Sequence, residues 1–193
     1  MSTASGDGAD GAGLVFISYS HDDARWAQRF RVLLKPLVRV RRMQLWDDTV
    51  IRAGDAWHPE IERAILRSRL ALLLVSADFL ASDYVMDHEL PALRRHGVRL
   101  APVLIADCFW DAVPELATVQ WLHDIERDGA LSLIGDHAGQ RDRAIRRACE
   151  RLLEVTPEPA LAGAGATPAR AGSGVTSSRR SHARRMARSR CPA

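Results

Sequence analysis

Short, continuous apolar runs alternate along this chain with segments in which apolar residues recur every three or four positions. The first run, "LVFISYS" from Leu14, is β-branched and aromatic, as a buried strand requires. Trp26, Phe30, Leu33, Leu34 and Leu37 then recur at helical spacing, with Asp22 or Asp23 placed to cap the helix start. "MQLW" predicts a second strand ending in Asp47 and Asp48. The loop "TVIRAGDA" leads to a helix with Trp57, Ile61 and Ile65 on one face. "LALLLVS" predicts a third strand covered on both faces. A helix around Glu89 follows, then a strand in "VRLAPVLIA", a further strand near "WLHDI", and a last helix from about Arg141 to Val155.

This alternation predicts an α/β fold: a five-stranded parallel sheet, helices on both faces and right-handed crossovers. Its size suits a flavodoxin-like strand order 2-1-3-4-5, whose ligand crevice opens outside the carboxyl ends of strands 1 and 3. Strand 1 ends at Ser18-Tyr19-Ser20 and strand 3 at Ser76, so the helix carrying Glu89 starts beside that crevice.

Composition divides the chain into three parts. Residues 1–12 are rich in Gly, Ala, Ser and Asp and read as a disordered N-terminus; residues 13–155 form the domain; residues 156–193 read as a disordered tail rich in Arg, Ala and Gly. The formal charge of +3 is unevenly placed. Seven arginines lie in the tail against the single acid Glu158, which leaves the preceding body mildly acidic. "RRSHARRMARSR" could hold nucleic-acid phosphates electrostatically, although a solvated extension is the preferred reading. Cys108, Cys149 and Cys191 match no metal or redox spacing and suggest a reducing compartment. With no signal-like N-terminus, and Leu70–Val75 as the longest apolar run, a cytoplasmic protein without a membrane partner is expected.

The chemistry concentrates in "VSADFLASDYVMDHELPALRRHG". On a helical wheel Met86, Leu90 and Leu93 form the apolar stripe, Glu89 lies at its edge and His88 points to solvent. Pro91 is tolerated only near a helix start, so the regular helix is expected to begin close to Asp87. Glu89 then occupies the first turn, where the helix dipole favours an ionised carboxylate. No Walker loop, GxGxxG, HExxH, GxSxG or paired-cysteine motif occurs, which disfavours phosphate-loop, zinc and triad chemistry. A phosphoacceptor receiver domain would need a lysine after strand 5, and Lys35, the only lysine, lies in the first helix.

Taken in order, "VFISYSHDDARWAQRF", "LWDD…I…GDAWHPEI", "ALLLVSADFLASDYVMDHEL" and "APVLI" resemble a bacterial Toll/interleukin-1 receptor (TIR) domain. The resemblance implies that the loop around Asp48–Ala56 mediates association with itself or with other TIR domains. It also implies cleavage of NAD+, as substrate rather than cofactor, at the nicotinamide–ribose bond, with Glu89 as the catalytic glutamate. No metal or other cofactor is implied. Tyr19, Ser20, Trp46, Asp47, Trp57, Ser82 and Tyr84 fall on substrate-binding positions. Tyr84 precedes Glu89 by one residue more than the corresponding aromatic does in some members. One carboxylate suffices chemically, because nicotinamide leaves a pyridinium as a neutral amide and needs no acid, unlike the departing oxygen of ordinary glycosides. The alternative implied by the same resemblance is a non-enzymatic adaptor that only binds other TIR domains.

Overall fold

The computed structural model describes residues 13–41, 43–48, 57–135 and 139–156. The segments 1–12, 49–56 and 157–193 lie outside the described residues, so of the loop around Asp48–Ala56 only Asp48 is described. Strand β1 (Leu14–Ser18) passes through a 3-10 turn (His21–Asp23) into α1 (Ala24–Arg41). Then come β2 (Gln44–Trp46), α2 (Trp57–Arg67), β3 (Ser68–Val75), the short α3 (Ala77–Ala81), a π-helical turn (Val85–Glu89), α4 (Leu90–Arg95) and β4 (Arg99–Leu104). Two short helices, α5 (Pro114–Ala117) and α6 (Ile125–Asp128), precede the long α7 (Gln140–Val155).

The strands form a parallel sheet in the order β2-β1-β3-β4, with Val15 opposite both Leu45 and Leu70, and Leu72 opposite Ala101. Because side chains alternate across a strand, each apolar run feeds two cores. Val15, Ile17, Leu70, Leu72 and Leu74 pack on one face against Trp26, Phe30 and Leu34 of α1 and Ile145, Ala148 and Leu152 of α7. Phe16, Ala71, Leu73 and Val75 pack on the other against Ile61 and Ile65 of α2 and Leu90 and Leu93 of α4. Full burial of side chains such as Ile61 and Ile65 contributes roughly 1.5–3 kcal/mol each. This two-sided cover is why β3 reads as unbroken hydrophobic sequence from Leu70 to Val75.

One expectation is corrected. The strand near "WLHDI" does not form, and the sheet of the described residues has four strands rather than five. That segment touches β4 through the Leu122 amide, which donates to the Pro102 carbonyl at 2.9 Å. A residue's amide and carbonyl face the same side of a strand, so Pro102, with no N–H, cannot return the next ladder bond; proline belongs at a sheet edge for this reason. At the start of α1, Asp23 is buried, and its carboxylate turns to Ser76 Oγ, from which it accepts a hydrogen bond. Ser76 Oγ in turn accepts from the Phe79 amide and so caps α3. Burial raises the Asp23 pKa, and the Ser76 bond opposes the rise.

Candidate functional site

At the carboxyl ends of β1, β2 and β3 the chain turns away from the sheet, and the departing segments enclose a cleft of about 340 Å³. Tyr19 and Ser20 come from the end of β1, Trp46 and Asp48 from the end of β2, and Ser82, Tyr84 and Glu89 from the helical stretch after β3. Trp46 is half-buried and stacks on Phe16 of β1, with centroids 5.1 Å apart and planes 14° from parallel. The phenol of Tyr19 donates to Asp48 at 2.7 Å, and Asp48 also stands 3.4 Å from His21 Nδ1. Desolvation of Tyr19, reinforced by Asp48, raises its pKa.

Glu89 is 8 % exposed yet lines this cleft. Its Oε2 accepts a 2.5 Å hydrogen bond from Ser18 Oγ, on the last residue of β1. Burial pushes the carboxyl up to about 7; the Ser18 bond pulls it down and nearby Asp48 adds a smaller upward push. At neutral pH the group is therefore poised between its two forms. Tyr84 is pushed up to about 12, by burial first and then by the charges of Glu89 and Glu62.

The path of the chain into Glu89 is unusual. The Leu90 amide bonds back to the Val85 carbonyl, five residues earlier instead of four, so Val85–Glu89 is a π-turn. In an α-helix, residues five apart diverge around the axis. In a π-turn they stand one above the other, and Tyr84 and Glu89 both face the cleft. Pro91 follows the π-turn at the start of α4.

A family model described as "TIR domain" matches residues 15–131. This chain belongs to the TIR-domain family. An uncharacterized protein of Sinorhizobium fredii (strain NBRC 101917 / NGR234), y4lF, is 34% identical over an alignment of 184 residues that covers 91% of this chain and 56% of that protein. The chain thus spans about half the length of this curated relative. The TIR domains in a structure of the activated Roq1 resistosome directly recognizing the pathogen effector XopQ are 19% identical, with a TM-score of 0.40 over 74% of this chain and 82% of that one.

Of the positions named from the sequence, the TIR domain brings Glu89, Tyr19, Ser20, Trp46, Ser82 and Tyr84 to one cleft. Asp47 is not there. It is buried and its Oδ2 accepts from Arg31 of α1 at 2.7 Å, while its neighbour Asp48 lines the cleft instead. Successive residues of an extended chain face opposite ways, so only one of the pair can look into the crevice. Trp57 begins α2, and its side chain lies outside the described residues. Glu89 is not in the first turn of a helix, as the position of Pro91 suggested; helical backbone already runs through Asp83 and Tyr84, and burial rather than a dipole governs its charge. Within the apolar stripe Val85 is buried, whereas Met86 is only partly so. His88 is exposed, but its ring rests against Tyr84 and meets His58 edge-on. His58 Nδ1 lies 3.0 Å from the Tyr84 hydroxyl.

Sequence reasoning missed Ser18 as a partner of Glu89. A serine ending an otherwise apolar strand at the crevice was the available signal. Among the described residues no three His, Cys, Asp or Glu side chains group as a metal ion would need, and no helix is long and apolar enough to cross a membrane.

Proposed function

We propose that this TIR domain cleaves the nicotinamide–ribose bond of NAD+ in the cleft, with Glu89 as its catalytic residue. The observation that carries the reading is a carboxylate removed from bulk water yet open to an aromatic-walled crevice. Departure of neutral nicotinamide leaves positive charge on the ribose. An ionised carboxylate fixed beside that sugar stabilises the oxocarbenium-like transition state more strongly in a desolvated site than it would in water. Ser18 orients the carboxylate and favours its charged form. Water attack on the sugar yields ADP-ribose, and attack by the substrate's own adenine yields a cyclic product. We place the activity in prokaryotic defence or signalling, switched on when the loop around Asp48–Ala56 joins copies of the domain.

Nicotinamide release, followed chromatographically at concentrated protein, tests this. Glu89→Gln removes the charge but keeps the shape, and the expected loss is about 100-fold or more. Undiminished turnover in the variant would remove Glu89 from the mechanism. A wild type that self-associates but releases no nicotinamide would be an adaptor, binding other TIR domains without catalysis.

A further inference from the structure

The walls of the cleft carry a selectivity of their own. Three half-buried aromatic residues, Trp46, Tyr19 and Tyr84, line it, and the Phe16 stack braces Trp46. Around them stand Asp22, Asp48, Asp78 and Glu89. Among the described residues that line the cleft, none is Lys or Arg, and His21, paired with Asp48, is the one group able to carry positive charge. Aromatic faces attract cations whose charge is spread and weakly hydrated, and carboxylates in a partly enclosed cavity focus a negative field onto the same space. Other cavities of the described residues are lined differently. Among them, the one beside Trp26 is basic and lies against the Arg29–Asp142 pair.

We propose that the cleft selects a delocalised organic cation, an N-substituted pyridinium ring, and rejects the same ring when it carries a carboxylate. The inference concerns the specificity of the site described above, and only its link to turnover rests on the proposed NAD+ cleavage. It follows that the oxidised, cationic nicotinamide ring is held in preference to its neutral reduced form. A dinucleotide bearing nicotinic acid in place of nicotinamide is disfavoured, because its ring carboxylate would face Asp22, Asp48 and Asp78 as well as the partly ionised Glu89. The same field keeps the diphosphate out of the acidic part of the cleft and turns the pyridinium–ribose end toward Glu89.

The test uses the full chain and three small rings that cannot be cleaved: the 1-methylnicotinamide cation, neutral nicotinamide, and N-methylnicotinate, the zwitterion. Binding is titrated by NMR at low and high salt. The cation should bind about tenfold more tightly than nicotinamide, the increment of a single good cation–π contact in a partly desolvated site. The zwitterion should bind more weakly than the cation, and added salt should narrow both gaps. The double variant Asp22→Asn/Asp78→Asn changes two exposed side chains and should reduce the cation's preference about threefold or more. Equal binding of cation and nicotinamide, equal binding of cation and zwitterion, no binding of any ring, or a preference untouched by the double variant would each overturn the inference. NAD+ turnover measured on the same sample separates the two claims. Cation preference without turnover defeats only the proposed cleavage, and turnover without preference defeats only the selectivity.

Discussion

The carboxylate of Glu89 gives up nearly all its contact with water on folding and receives one hydrogen bond in the described structure, from Ser18. The imbalance lifts its pKa from 4.5 to about 7, so the folded state holds that proton more tightly than the unfolded chain does. Any stability tied to the group is fully present below about pH 4.5 and is lost as pH rises through 7, a difference of about 3 kcal/mol. Glu89→Gln should therefore raise the melting temperature at pH 8 by several degrees and leave it nearly unchanged at pH 4.5, as scanning calorimetry can show. A variant less stable than wild type at pH 8 would mean that burial does not penalise the charge. Glu89 was legible as a candidate because a cluster of ionisable groups is rarely needed where a helix leaves a buried strand. Asp47 and Asp48 were not separable by sequence: a shift of one residue flips which of them faces the crevice, and β2 is too short to fix its register by pattern.

Among the elements, the π-turn sets the geometry of the site. It brings Tyr84 and Glu89 together across a spacing that an α-helix would splay apart. Deleting the exposed Asp87 shortens that spacing to four residues, which an ordinary α-turn also stacks. The deletion variant should fold with its α-helical signal intact and keep nicotinamide release within about tenfold of wild type, in line with modest misplacement of a catalytic group. Loss of turnover by more than about 100-fold in a folded variant would show that the wider turn itself is required. The sequence signalled a break here through Pro91, but four- and five-residue turns differ only in which carbonyl each amide reaches, and no side chain announces that choice. The failed fifth strand has a comparable origin. "WLHDI" has strand-like composition, yet pairing is decided by the neighbour, and Pro102 on β4 withholds the donor that the pairing needs. By contrast β3 was plain to read, because covering both faces leaves no polar position from Leu70 to Val75.

At the scale of the whole molecule, the cleft belongs to no single motif: β1 supplies Ser18, β2 is followed by Asp48, and the stretch after β3 supplies Glu89. If self-association activates the domain, specific nicotinamide release should rise with protein concentration and with crowding agents that favour assembly. Constant specific activity across a range in which light scattering records assembly would dissociate the two. The ionisation of Glu89 is likewise a property of the whole fold, because strand, turn and helix together keep water from it. The most direct test is the pH dependence of kcat/KM for nicotinamide release, which reports the pKa of the free enzyme's essential group. The account predicts activity that is low near pH 5, rises with pH and levels off above an apparent pKa near 7. In Ser18→Ala that limb should move to higher pH, since the lost hydrogen bond favours the charged form. A profile flat from pH 5 to 9, or one that falls as pH rises, would contradict a mechanism run by the ionised carboxylate of Glu89.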